Sequence, residues 1–392
     1  MLGFARSTLA RSTLGRSTLG RSTLAKCWIA QTQTETARRM QSGMAEEVDV
    51  DEKRARFMGV FQEIRSELME TLGSSYEVPE SLQEYLDYMV MYTTPGGKLN
   101  RGLTVVDTAE ALTGGLDDEG YFKAATLGWC VEFMQAFMLV ADDIMDHSLT
   151  RRGVPCWYQA PHIGMDAVND ALLLESFLYK ILRNNFGNQP ELYITLLDMF
   201  RETSFKTELG QLTDVKTAPA GDVDLSRFTM EKYLQIVKYK TAFYSFSLPV
   251  SLGMTLAGVE DPKAFADSEK ILIDMGTLFQ VQDDYIDCFG VPAVSGKIGT
   301  DIQDNKCTWL VVKALQLADQ DQRYLLQNNY GRADAFYVEA VKDVYRSLDI
   351  PAHYAQYESH AINSLEGEIA GFDHFDGQVF GSLLSKINNR AA

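Results

Sequence analysis

Cysteine is scarce in this chain and follows no pattern. The five copies in 392 residues, Cys27, Cys130, Cys156, Cys288 and Cys307, are odd in number and form no C-x-x-C pair. That argues against a disulfide framework or a zinc site and fits a reducing compartment. The five histidines are equally dispersed, and neither a Ser-His-Asp nor a Cys-His arrangement stands out. Basic charge is in deficit. Thirty-six Lys and Arg face 54 Asp and Glu, a net charge of −18, which argues against a nucleic-acid partner. No run of about 20 apolar residues is evident, so no membrane span is expected. Alternating β-branched stretches are few and Asn-Gly pairs are absent, which leaves little signal for strands or hairpins.

What is present is an ordinary globular composition, 46% hydrophobic and 23% charged, enough to bury a large core. The first 45 residues stand apart. RSTLA, RSTLG, RSTLG and RSTLA begin at Arg6, Arg11, Arg16 and Arg21, and no acidic residue precedes Glu35. Arg- and Ser-rich, acid-poor composition marks an organellar transit peptide, here mitochondrial. A cytoplasmic protein with a low-complexity tail is the competing reading. Residues 46–392 then form one domain with helical periodicity almost throughout. Phe57, Val60, Phe61, Ile64, Leu68 and Leu72 share one face before Gly73 breaks the helix. Pro79 opens another, with Leu82, Tyr85, Leu86 and Met89 on one face. Further helices are expected over 171–186, 191–210, 228–257, 262–290, 307–318, 334–348, 357–371 and 377–388. The expected fold is all-α: a single large helical bundle with sites on facing helices.

Two acidic clusters stand out against this background. Asp142, Asp143 and Asp146 follow the apolar FMLVA, and Asp283, Asp284 and Asp287 repeat the spacing after MGTLF. Carboxylates one helical turn apart repel each other, so a partly enclosed cluster needs cations. Oxygen ligands with no nearby His or Cys favour Mg²⁺, held by one or two carboxylates plus substrate phosphates. One such motif is an ordinary helix surface more often than a site. Two in apolar settings could clamp one diphosphate from both sides.

The positive charge is local. Gly96-Gly97-Lys98-Leu99-Asn100-Arg101-Gly102 enters a helix, where glycines and the helix N-terminus suit an anion, although alone it reads as a turn with a surface lysine. Arg151 and Arg152 follow the first cluster; the plain reading is a solvated turn. Lys240 and Thr241 sit in an aromatic helix that Pro249 is expected to kink, freeing carbonyls upstream. Gly296 to Lys306, with Lys297, reads as a lid or as a polar connection. Together these imply a diphosphate ester with an apolar tail. Metal would make the diphosphate a leaving group, and carbonyl and hydroxyl dipoles would steady a carbocation in a dry cavity.

The strings GGKLNRG, QAFMLVADDIMDHSLTRRGVPCWY, KYKTAFYSFSLP, FQVQDDYIDCFG and GKIGTDIQDNK resemble short-chain trans-isoprenyl diphosphate synthases, most nearly the farnesyl diphosphate synthases. The resemblance covers roughly residues 50–390. It implies an isoprenoid-synthase bundle with a central cavity and a homodimer. It also implies condensation of isopentenyl diphosphate with dimethylallyl, then geranyl, diphosphate. About three Mg²⁺ are implied, with Mn²⁺ as a substitute. By motif position Asp142 and Asp146 would bind metal with Asp143 in support, and Asp283 would bind metal with Asp284 and Asp287 nearby. Lys98, Arg101, Gln135 and Arg152 would hold isopentenyl diphosphate; Arg151, Lys240, Lys297 and Lys306 the allylic diphosphate. Thr241, the Lys240 carbonyl and Gln280 would steady the cation. Gln211 and Asp214 match a supporting position, and Arg390 a C-terminal cation. Phe137 and Met138, a turn before Asp142, would floor the cavity. Relatives that stop at fifteen carbons usually have bulky aromatics at both positions, and Met138 softens that stop. Geranylgeranyl diphosphate synthesis is the alternative product. An ionising terpene synthase and a non-enzymatic binding protein are the alternative classes.

Overall fold

A computed structural model of the chain describes residues 51–219, 221–290 and 299–388. The expected transit segment, Lys297 and Arg390 lie outside these. The chain divides into two compact units, Met1–Arg56 and Phe57–Ala392. Described residues 51–56 of the first are helical. The second is built from helices: α1 (57–76), α2 (Glu80–Thr93), α3 (Asn100–Thr113), α4 (Asp118–Met145), α5 (Ala167–Phe186) and α6 (Pro190–Thr217). Next come α7 (Met230–Ile236), a π-helical stretch (Val237–Ser247), α8 (Leu248–Leu256) and α9 (Pro262–Phe289). The C-terminal part holds α10 (Trp309–Leu317), α11 (Gln320–Asn329), α12 (Ala335–Ser347), α13 (Ile350–Ala370) and α14 (Gln378–Asn388).

The all-helical expectation holds, and the departures have local causes. α1 runs through Gly73, and Leu82 on α2 is 53% exposed, so that helix buries Leu86, Met89 and Val90 instead. α11 was not expected. Its apolar content is low, and it is fixed by a capping box between Asp319 and Gln322. A two-stranded hairpin, Thr150–Arg151 against Val154–Pro155, lies where no strand was expected. Its two-residue turn puts Arg152 (φ 55°) and Gly153 (φ 79°) in the left-handed region. An arginine there costs about 1–2 kcal/mol, the kind of strain that collects at functional sites.

α4 is the axis. Asp117 caps it by accepting from the Gly120 N–H at 2.8 Å, and Asp118 and Glu119 suit its N-terminal dipole. Contrary to expectation it is long and apolar enough to cross a membrane, yet 83% of its most apolar stretch is buried in the protein. It packs between α3 and α5. Trp129 stacks on Phe57 with ring centroids 4.5 Å apart and donates to the Phe57 carbonyl. Gly102 and Gly128 let α3 and α4 touch backbone to backbone: a Cβ on Gly128 would lie 2.4 Å from the Gly102 oxygen.

The π-helical stretch lies between α6 and α9. Pro249 does not fall inside the distorted stretch but in the first turn of α8. The distortion is instead spread over eleven residues, with carbonyls bonded five residues on, as Leu248 N–H to Phe243 O shows. Glycines admit it on both sides. A Cβ on Gly210 would sit 2.2 Å from the Lys240 nitrogen, and one on Gly276 2.5 Å from the Ala242 Cβ. Gly210→Ala should therefore destabilise the fold by about 2 kcal/mol, seen as a lower urea midpoint at fixed protein concentration. An unchanged midpoint would mean that α6 and the π stretch can separate freely.

Candidate active site

At the C-terminus of α4 the carboxylates go to different partners. Asp142 and Asp146 stay on one side, with the Asp146 N–H donating to the Asp142 carbonyl at 2.8 Å. Asp143 turns into the protein, 3% exposed, and takes Arg151 from the hairpin in a forked contact: Nε at 2.9 Å to each oxygen and Nη2 at 2.6 Å. Arg151 Nη2 also lies 3.6 Å from Asp142. Asp143, expected to support the metal, is engaged here in holding Arg151.

Two lysines fill the space between the remaining carboxylates. Lys240, from the π stretch, lies 2.6 Å from Asp214 on α6 and 3.1 Å from Asp142. Lys306, from the loop before α10, pairs with Asp146 and lies 3.7 Å from Asp214. Burial works to raise the carboxyls of Asp142 and Asp214, but Lys240 and Lys306 outweigh it and hold both below their usual range. Burial and the neighbouring Asp142 leave Asp146 raised despite Lys306. Burial would lower Lys240, yet Asp214 and Asp142 raise it well above the usual lysine value.

The second cluster also divides. Asp284 is 4% exposed and accepts from Gln280 Nε2 at 3.0 Å and the Trp309 backbone N–H at 2.8 Å. Burial pushes its carboxyl up to about 7, against the pull of those donors. Asp284, expected among the metal ligands, is engaged here in this internal contact. Asp283 and Asp287 are partly exposed, and Asp287 accepts from the Asp301 N–H at 3.1 Å. Residues 299–309 thus touch both rims: Asp301 on Asp287, Trp309 on Asp284 and Lys306 on Asp146. Gln280 reaches back to the π stretch, where Thr241 Oγ1 donates to its Oε1 at 3.2 Å.

Another group of cations gathers at the start of α3. Arg101 donates to Ser245 (2.9 Å) and to the Tyr244 hydroxyl (3.1 Å). The Arg152 guanidinium packs on Gly96 and Gly97, where a Cβ on Gly96 would meet it at 2.4 Å. Lys98 is exposed beside it. Gln135 is buried and donates to Glu132, which also accepts the Gly102 N–H at 2.9 Å. Glu132, 1% exposed, went unnoticed in the sequence. Its signal was there: it is the only acid between Tyr121 and Ala141.

Of the first rim, Asp142 and Lys240 open on a cavity of about 630 Å³; the second acidic cluster is not among the groups lining it. Asp142, Lys240, Thr241 and Gln211 form its polar side. Phe137 and Met138, the expected floor, and Tyr244 stand among the groups lining it. An anion at the rim with a hydrocarbon below is what this lining accommodates.

Known proteins agree with this arrangement. The family model described as Polyprenyl synthetase matches residues 82–348. The farnesyl pyrophosphate synthase of Saccharomyces cerevisiae is 45% identical, covering 89% of this chain and 100% of its own length. That of Bos taurus is 50% identical over 86% and 96%. The solved T. brucei farnesyl diphosphate synthase complexed with bisphosphonate superposes with a TM-score of 0.81 at 35% identity, covering 87% of this chain and all of its own. Motif, cavity and relatives coincide, and the chain belongs to the polyprenyl synthetase family, with farnesyl diphosphate synthases as its near relatives.

Proposed function

We propose that the protein condenses isopentenyl diphosphate with dimethylallyl and then geranyl diphosphate, releasing diphosphate and forming farnesyl diphosphate. The observation that carries this reading is the cavity, which joins Asp142, Lys240 and Thr241 to an apolar floor at Phe137 and Met138. Among the described residues no three acidic, His or Cys side chains converge closely enough to hold a metal unaided. That fits Mg²⁺, which takes one or two carboxylates and completes its shell with phosphate and water. The buried Asp142 Oδ1, now 3.1 Å from Lys240 Nζ, would be a donor atom to the metal. Asp142, Asp146 and Asp283 would hold the metal, with Asp287 nearby. Bound Mg²⁺ supplies Lewis acidity that makes the allylic diphosphate a leaving group.

The chain does the rest. Lys240, Lys306 and Arg151 hold the allylic diphosphate, while Lys98, Arg101 and Arg152 hold isopentenyl diphosphate. Breaking the allylic C–O bond leaves a cation next to the Thr241 hydroxyl, the Gln280 amide oxygen and the Lys240 carbonyl, dipoles aimed before the charge develops. The isopentenyl double bond attacks that cation, and the released diphosphate takes the proton. The apolar walls keep water from intercepting the cation.

Exposed apolar side chains on α5 and α6, Leu172 (60%), Ile194 (57%), Phe205 (57%) and Leu212 (54%), support a homodimer through this face. The composition of residues 1–45 supports mitochondrial delivery. Met138 on the floor supports some tolerance for a longer chain, with geranylgeranyl diphosphate as the minor alternative.

Asp142→Ala or Asp283→Ala should lower turnover by roughly 10³-fold with helical content intact, since charge stabilisation of this kind is worth several kcal/mol. Near-normal turnover in either variant, measured with labelled isopentenyl diphosphate, would remove the metal role. Met138→Ala should lengthen the product and Met138→Phe should sharpen the stop at fifteen carbons. Chromatography showing one profile for both would take Met138 out of the floor.

A further inference from the structure

Asp284 belongs to an acidic motif but does not face the cavity. Its two oxygens accept from Gln280 Nε2 (3.0 Å) and from the Trp309 N–H at the start of α10 (2.8 Å), inside the protein. Gln280 meets Asp284 with its NH₂ end, which donates, so Asp284 is the acceptor in this pair. The amide oxygen is then forced to the other side, where it meets Thr241 Oγ1 at 3.2 Å. Gln280 offers Thr241 only an acceptor, so the hydroxyl proton points at Gln280. The Thr241 lone pairs are left toward the cavity that this residue lines.

We infer that Asp284 is a positioning residue that sets the polarity of a Trp309–Asp284–Gln280–Thr241 hydrogen-bond chain, so that oxygen lone pairs and not protons face the developing allylic cation. The inference rests on the proposed prenyl transfer. It assigns the second carboxylate of this motif to orienting dipoles and leaves metal binding to its neighbours. The backbone N–H of Trp309 can only donate and claims one Asp284 oxygen, and the acceptor at the other oxygen sets the direction of the rest of the chain. Reversing one member reverses every group after it.

That property makes the inference testable. Asp284→Asn keeps shape and removes charge. The introduced amide must still present its oxygen to the Trp309 N–H, so its NH₂ meets Gln280 and flips that amide, turning an N–H toward Thr241. We expect kcat to fall about 100-fold, the scale of losing one preorganised dipole. KM for both substrates and the Mg²⁺ concentration for half-maximal rate should stay within about threefold. Adding Gln280→Glu supplies an acceptor-only partner for the new NH₂ and should bring kcat back to within about tenfold of wild type. Gln280→Glu alone sets two carboxylates against each other and should lose activity, so the double variant should exceed both single ones.

A binding readout separates orientation from general damage. The ratio of affinities for an allylic diphosphate analogue with an ammonium at the cationic carbon, and for its neutral carbon isostere, should drop about 100-fold in Asp284→Asn and recover in the double variant. Wild-type turnover in the same assay tests the proposed reaction separately. Unchanged kcat in Asp284→Asn, a loss that Gln280→Glu does not relieve, or a large rise in the Mg²⁺ requirement would each overturn the inference.

Discussion

Three carboxylates and two ammoniums from different parts of the chain pair with one another beside the cavity. Asp142 and Asp146 come from the end of α4, Asp214 from α6, Lys240 from the π stretch and Lys306 from the loop before α10. Three carboxylates this enclosed would not stay ionised without the two ammoniums, because desolvation penalises every charge in the group. The remainder of the site depends on this balance. Gly210 is needed so that Lys240 can sit against α6, and the π stretch presents Lys240 and Thr241 in adjacent positions.

A second constraint divides each acidic triplet. Asp143 and Asp284 occupy matching places in their motifs, and both are buried in internal contacts, with Arg151 and with Gln280 and Trp309. In a helix the residue next to a cavity-facing position points about 100° away, so it cannot share that face. The pattern Asp-Asp-x-x-Asp therefore encodes two outward carboxylates and one inward anchor.

Much of this was legible in the sequence. The helices showed through their periodicity, and the two acidic motifs with their cations marked residues that the structure brings together, Asp142, Asp146, Lys240 and Lys306 in one group and Asp284, Gln280 and Thr241 in another. Three things were not legible. The roles of Asp143 and Asp284 depend on orientation, which spacing alone leaves open. The hairpin carrying Arg151 and Arg152 rests on a left-handed arginine, a choice that propensity opposes. The π stretch has no residue signature of its own; Pro249 marks only its downstream end, and Gly210 and Gly276, which leave room for it, lie on other helices.

The central claim is that both acidic rims serve one diphosphate. It is tested most directly by anomalous diffraction from crystals grown with Mn²⁺ and a non-ionising allylic diphosphate. The account predicts manganese peaks touching Asp142 and Asp146 on one side and Asp283 on the other, with the diphosphate between them and the prenyl tail toward Phe137 and Met138. Peaks confined to one rim, or a tail lying outside the cavity, would contradict it.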